Sequence, residues 1–309
     1  MARIVITGGT GMVGSALANI LVKVGHQVTI LSRKVPEKVN PAYASALWDP
    51  SRGSIDTSVL TDTDIIVNLA GANVADKRWT AARKQEILKS RVDAATTIVQ
   101  ALKQYPNQVK GVISASAIGW YGKDTTTSLV SGFQESDEAD DSFLGDTCRQ
   151  WEQSIKPIEE MNKRLVILRI GIVLDKSGGA LPAFLQSLRW RVAGILGTGS
   201  QMISWIHLFD LCQMILFAIE NEEIKGVFNA VSPHPVSNEQ FNRKLAEYLH
   251  GDTYIKLPVP APLLHALLGE MSIEVLKSAT VSSLKIRQAG FVFRYPKLLD
   301  AFREIFPKT

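Results

Sequence analysis

Apolar and polar residues follow two different rhythms along this chain, and the rhythm switches repeatedly over the first two-thirds. Near-continuous β-branched runs stand at RIVIT (3–7), QVTILS (27–32), DIIVNLA (64–70), GVISAS (111–116) and RLVILRIG (164–171). Between them apolar positions recur at helical spacing over 14–24, 80–104 and roughly 144–161. Strands lacking a polar face are buried on both sides, as in a parallel sheet covered by helices. The pattern predicts an α/β protein with a Rossmann-type doubly wound parallel sheet. Past residue 175 the texture changes. Gly178, Gly179, Gly194, Gly197 and Gly199 break up the chain, and GVFNAVS (226–232) reads as one more strand. LPVPAP (257–262) leads into a short helix, and GFVFRYPKLLDAFREIF (290–306) reads as an extended piece followed by a helix. The expected division is a larger domain over 1–232, with about 176–204 contributing to a second lobe, and a smaller C-terminal lobe over 233–309 that closes a cleft.

The turn between the first strand and the first helix reads TGGTGMVG (7–14). Gly8, Gly11 and Gly14 meet three separate needs: a tight turn, a close backbone approach by a diphosphate, and tight packing of helix on strand. Gly9, Thr10, Met12 and Val13 complete a loop whose following helix offers free N–H groups and partial positive charge. The strand–turn–helix context favours phosphate binding over a purely structural turn. At the end of the second strand, an acid would suit the ribose of NAD and a base the extra phosphate of NADP. Here Ser32, Arg33 and Lys34 stand, with no acid before Glu37, so NADP(H) is the expected cofactor. Leu69, Ala70 and Gly71 end the third strand run, where a small-residue backbone can line the adenosine side. Arg91 on the long helix could reach the diphosphate, and Glu86 could accept from the cofactor or pair with a nearby base; ordinary surface charges explain both equally well. A backbone group around Ile172 could hold the nicotinamide carboxamide.

Taken together, TGGTGMVG (7–14), NLAG (68–71), SASAIGWYG (114–122), LRIGIVL (168–174) and SWIHLFDL (204–211) resemble the extended short-chain dehydrogenase/reductase superfamily. GVFNAVSPHPVSN (226–238), PVPAPLLHALLGEM (258–271) and GFVFRYPKLLDAF (290–302) are similar to the C-terminal pattern of its "epimerase family" branch. The resemblance covers nearly the whole chain. It implies a Rossmann domain with an NADP-type cofactor and a substrate cleft against the C-terminal lobe. Members of that branch are usually named nucleotide-sugar epimerases by similarity, and some cell-division inhibitors.

The superfamily commonly uses a Tyr with a Lys four residues later, the cation lowering the phenol pKa while a Ser holds the carbonyl oxygen. None of the six tyrosines has a lysine at that spacing. Aligning on Glu152 sets Leu144 where the Tyr belongs and Cys148 where the Lys belongs, and an apolar Leu moves no proton. The remaining candidates follow the fourth strand run: Ser116 at its carboxyl end, then Trp120 and Tyr121. Tyr121 and Ser116 are the expected catalytic helpers, with a packed aromatic the equal alternative for Tyr121. Trp120, Gln201 and Trp205 are expected to face substrate across the cleft.

Composition then trims the function classes. The 309 residues are 46% apolar and 21% charged, an ordinary globular balance. A net charge of +4 without a dense basic tract argues against nucleic acid. The longest apolar run, 211–219, is about half a membrane span, so no membrane partner is expected and the cytoplasm is the expected location. Cys148 and Cys212 lie far apart without metal-ligand spacing and read as buried thiols, and no metal is expected. Asp210 with Gln213 three residues later suggests a capping box at the start of a helix. Arg189-Trp190-Arg191 reads either as a diphosphate grip or as a helix surface with one anchored aromatic. The expected partner is a small molecule, with a nucleotide-sugar among the candidates, and a homodimer is left open. Two function readings remain: an NADP(H)-dependent oxidoreductase or epimerase-like enzyme, and an NADP(H)-binding sensor without turnover.

Overall fold

The computed structural model describes residues 1–34 and 42–308, so Glu37 lies outside the described residues. Eight strands form the central sheet: β1 (Arg3–Thr7), β2 (Gln27–Ser32), β3 (Ala44–Asp49), β4 (Ser54–Ile55), β5 (Ile65–Asn68), β6 (Gly111–Ala117), β7 (Arg164–Ile170) and the strand Gly226–Ala230. From one edge the order is Gly226–Ala230, β7, β6, β5, β1, β2, β3, β4. Every pair is parallel except β3 with β4. The chain moves outward from β1 to β4, then crosses back to β5 on the other side of β1. Thr7 thus lies in register with Leu31 on one side and Asn68 on the other. That reversal opens a crevice at the carboxyl ends of β1 and β5, the place where ligands sit in open α/β sheets.

The buried runs form the sheet because the central strands have helices on both faces. On one face α1 (Met12–Lys23) and the helix Leu208–Glu220 bury Leu17, Leu21, Leu211 and Ile215 against Ile4, Ile6 and Val67. On the other, α2 (Ala81–Gln104) and the helix Phe143–Ile155 bury Ile98, Leu102, Trp151 and Ile155 against Val5, Ile66 and Val112. A second lobe packs around Leu174, Leu181, Trp205, Phe241, Leu245 and Phe302. Its strand Val192–Leu196 pairs in parallel with Ile255–Val259. Late residues also return to the first core, where Ile286, Phe291 and Phe293 are buried. The chain therefore crosses between the lobes more than once. No helix among the described residues is long and apolar enough to cross a membrane.

One local expectation changes at the helix Leu208–Glu220. Its cap is His207, whose Nδ1 accepts the Phe209 N–H at 3.1 Å, so no capping box forms at Asp210. Asp210 is instead buried within the first turn, where its carboxylate accepts the N–H groups of Arg294 and Tyr295 at 2.8 and 2.9 Å. Burial pushes its pKa up, against those two bonds and the Arg294 charge. The carboxylate pins the returning C-terminal segment to the sheet domain, a partner 84 residues away that no local spacing reveals. Asp210→Ala leaves both N–H groups without an acceptor and is expected to lower stability by roughly 2 kcal/mol in urea unfolding, with Asp210→Asn losing less because its amide oxygen still accepts.

Candidate functional site

The glycine loop opens directly from β1. Gly8 has φ +68°, and a Cβ there would stand 2.8 Å from the Leu69 carbonyl carbon and oxygen. A Cβ at Gly14 would stand 2.3 Å from the Gly8 oxygen, so α1 can approach β1 only without a side chain. Gly9 is similarly closed off by the Ile30 side chain. Gly11 differs: it is exposed, as is Thr10, and among the described residues a Cβ there would meet only the Gly8 oxygen, at 3.3 Å. Gly11 caps α1 with no side-chain hydrogen bond, and the first turn, Met12, Val13 and Gly14, carries no acid. Among the described residues no side chain caps the positive end of α1 and no acid stands in its first turn, which suits a diphosphate. Above it lies the turn after the strand Ile172–Asp175, where a Cβ at Gly178 would meet the Met12 sulfur at 3.2 Å. The second lobe therefore reaches over the first turn of α1.

At the carboxyl ends of β1 and β5, buried Thr7 donates through Oγ1 to Asn68 Oδ1 at 2.7 Å and accepts the N–H groups of Leu69 and Ala70. Asn68 in turn donates to Ser114 Oγ at 3.2 Å. This polar chain fixes the Leu69–Ala70–Gly71 backbone beside the glycine loop. Ser32 Oγ accepts the Lys34 N–H, while the exposed Arg33 and Lys34 side chains form no ion pair among the described residues. Glu86 turns to its own helix: Arg83 binds it at 2.7 Å and holds its carboxyl below the usual range. Arg91 reaches under Gly71, donating through Nη1 to the carbonyls of Ala72 and Ile87 at 3.0 and 2.9 Å.

The other end of the edge is closed by a buried polar network. Glu152 binds Arg169 through two bonds, Nε at 2.9 Å and Nη2 at 3.0 Å, and both side chains are 3% exposed. Glu152 also takes the Ser116 hydroxyl proton at 2.7 Å. Arg169 Nη1 donates to the Tyr121 hydroxyl at 3.0 Å and to the Glu135 carbonyl, and the guanidinium lies 3.6 Å from the Trp120 ring centroid. Tyr121 donates to Asn229 Oδ1 at 2.7 Å, has no exposed surface, and stacks on Phe133. Burial pushes its pKa up to about 12. Burial opposes the Arg169 charge too, but the Glu152 carboxylate outweighs it and raises the pKa.

This geometry revises the expected chemistry. Ser116 is 2% exposed and donates its hydroxyl hydrogen bond to Glu152, so it is not free to hold a carbonyl oxygen. Tyr121 is a packed phenol bound at both ends and is not poised as a proton donor. Trp205 is fully buried in the second core with Nε1 donating to His234, away from the cleft, and Gln201 is buried and bonded to Leu196. Trp120 is half-buried, with Nε1 on the Asp137 carbonyl. The Ile172 N–H donates to Ser204 and its carbonyl lies in the same parallel ladder with the strand Trp205–His207, so its backbone groups are taken up by strand pairing. On the helix Phe143–Ile155, Leu144 stands against Gly119, and the buried Cys148 thiol contacts the Ala117 carbonyl at 3.6 Å with its pKa pushed by burial up to about 12. The Glu152 and Arg169 side chains and Asn229 were not among the sequence-derived candidates. A charge inside an otherwise apolar strand such as RLVILRIG was the available signal, because a buried charge needs a partner.

Residues 4–230 match the family model described as the NAD dependent epimerase/dehydratase family, and residues 259–305 match a domain of unknown function, DUF1731. The chain is 37% identical over 304 residues to epimerase family protein YfhF of Bacillus subtilis (strain 168), covering 98% of this chain and 97% of that one. It superposes with TM-score 0.85 at 28% identity on the human epimerase family protein SDR39U1 (isoform 2), solved with NADPH, over 98% of both chains. A UDP-N-acetylglucosamine 4-epimerase from Bacillus cereus shares the fold at TM-score 0.78 and 18% identity, over 99% of this chain and 98% of that one.

Two outcomes follow from the network. Glu152→Ala should destabilise by about 3–5 kcal/mol in chemical unfolding, because Arg169 is left buried and uncompensated; adding Arg169→Met should recover part of that loss. The Tyr121 phenol has a higher pKa folded than unfolded, so its stabilisation is complete below pH 10 and declines as pH rises toward 12. Alkaline unfolding curves of Tyr121→Phe should accordingly fall less steeply than those of the parent over that window.

Proposed function

The chain belongs to the NAD dependent epimerase/dehydratase family, and from that premise we propose that it is an NADP(H)-dependent oxidoreductase or epimerase-like enzyme acting on a carbonyl or hydroxyl group of a small molecule, a nucleotide-sugar being the leading class. The observation that carries the reading is the uncapped, acid-free start of α1 behind exposed Gly11, at the point where the strand order reverses. In this reading Gly8 through Gly14 surround the diphosphate and Leu69, Ala70 and Gly71 line the adenosine. Ser32, Arg33 and Lys34 take the 2′-phosphate, where a guanidinium fork matches phosphate oxygens. The NADPH in the human relative's structure supports the same choice. The bound nicotinamide supplies the hydride chemistry. The chain's part is to orient: Trp120 is held flat by Arg169 beside the carboxyl end of β6, and Ser116, its proton engaged by Glu152, can meet a ligand hydroxyl only as an acceptor.

A second reading, an NADP(H)-binding sensor without turnover, is favoured by one specific observation. Tyr121, Ser116 and Cys148 all have their protons engaged within the protein or sealed from solvent. Single-turnover oxidation of bound NADPH against carbonyl compounds and nucleotide-sugars separates the two: hydride loss supports the enzyme, and an intact cofactor across the panel supports the sensor.

The cofactor assignment has its own check. Calorimetry should give NADPH at least roughly tenfold tighter binding than NADH, with the preference collapsing in Arg33→Ala. Equal affinities in the parent protein would refute it.

A further inference from the structure

Residues 260–276 join two firmly held segments but are themselves held differently. Before them the strand Ile255–Val259 pairs with Val192–Leu196, and after them Ser278 and Thr280 donate to the Asp124 carboxylate. The span between contains the helix Ala261–Leu268, the turn Gly269–Met271 and the helix Ser272–Leu276. None of its residues belongs to the apolar clusters that pack the two lobes. Leu264 is its one fully buried apolar side chain, whereas Leu263, Leu267 and Ile273 are 49%, 61% and 46% exposed.

Internally the span is clipped together: Ser272 is fully buried, and its hydroxyl bonds to the His265 ring and to the Gly269 carbonyl. Its attachments to the sheet domain are polar. Arg78 donates to the Ala266 carbonyl at 3.3 Å, and Lys84, near the start of α2, binds Glu270 with both side chains part-exposed. Lys84 is placed by its own domain, its ammonium 5.2 Å from the Phe143 ring centroid, with Phe143 set edge-on to Trp79. At the far end Lys277 donates to the Tyr121 carbonyl at 3.1 Å. Arg78 stands in the loop that begins with Leu69–Gly71 after β5, and Tyr121 in the loop after β6. The span therefore bridges two neighbouring loops at the carboxyl edge of the sheet. A unit with little apolar burial and a part-exposed ion pair opens at low free-energy cost compared with the core.

We propose that residues 260–276 form a hinged strap across this edge, latched by Lys84 on Glu270 and Arg78 on Ala266, which opens as one body and closes over bound dinucleotide. The proposal rests on the cofactor reading above and adds a gate to it. Opening exchanges the two latch contacts for water, while the paired strand before the strap and the Asp124-bound segment after it stay in place. Closure of such an element keeps water from the reacting atoms and sets the rate of ligand release.

The test is amide hydrogen exchange on the intact chain, read by mass spectrometry, with the buried helix Asn238–His250 as the internal reference. In the unliganded parent, amides of 261–276 should exchange at least roughly tenfold faster than the reference. Lys84→Met and Glu270→Gln should each speed that exchange by about two- to fivefold and leave the reference unchanged, with the double variant no faster than either single one. Raising the salt to about 1 M should produce the same speeding in the parent, which supplies the answer if a variant fails to fold. Saturating NADPH should slow exchange of 261–276 in the parent. Protection of 261–276 equal to the reference, latch variants and salt without effect, or bound NADPH without effect each overturn the proposal. A folded parent that gives no binding heat with NADPH overturns the cofactor reading and, with it, closure over the dinucleotide; the latch is still decided by the unliganded exchange.

Discussion

A guanidinium and a carboxylate buried together at the carboxyl edge of the sheet organise everything around them. Bringing Arg169 and Glu152 out of water is unfavourable unless their donors and acceptors are engaged, and four of the five Arg169 N–H groups find an acceptor. Arg169 binds Glu152 through Nε and Nη2, and Tyr121 and the Glu135 carbonyl through Nη1. One oxygen of Glu152 also takes the Ser116 hydroxyl. A single residue on β7 therefore sets the path of the loop after β6, the plane of Trp120, and the direction in which Ser116 presents its oxygen. The same engagement makes the network inert toward proton transfer.

The glycine loop obeys the opposite rule. Its glycines are required by close backbone approaches at Gly8 and Gly14, yet the helix they introduce is left uncapped and without an acid in its first turn. The carboxyl edge is thus divided. Toward β7 the polar groups are engaged within the protein, and toward β1 and β2 the donors and cations are open to a ligand. The proposed recognition of the cofactor draws on the second region, while the first supplies shape and rigidity.

The C-terminal residues belong to this architecture and are not appended to it. Asp124 accepts from Ser278 and Thr280, Asn229 donates to the Ser282 carbonyl, and Lys277 donates to the Tyr121 carbonyl. Asp210 holds the 294–295 backbone from the sheet side. The loop bearing Trp120 is consequently fastened from two directions, by β7 below and by the 277–282 segment above.

The central strands, α1, α2 and the glycine loop were legible in the sequence because their signals are local: unbroken apolar runs, helical periodicity, and glycines at a strand–helix junction. β3 was not, because ASALWD at the half-exposed edge of the sheet has no β-branched run to announce it. The extended dehydrogenase/reductase resemblance and the missing Tyr–Lys pair were equally readable, being matters of residue order alone. Tertiary structure decided the fate of the polar side chains. Asp210 follows a capping pattern and instead binds a backbone 84 residues on; Tyr121 lies beside the cleft in sequence order and is claimed by Asn229, 108 residues away. A side chain's identity fixes what it can donate or accept, but only the three-dimensional packing determines which group reaches it and whether water does.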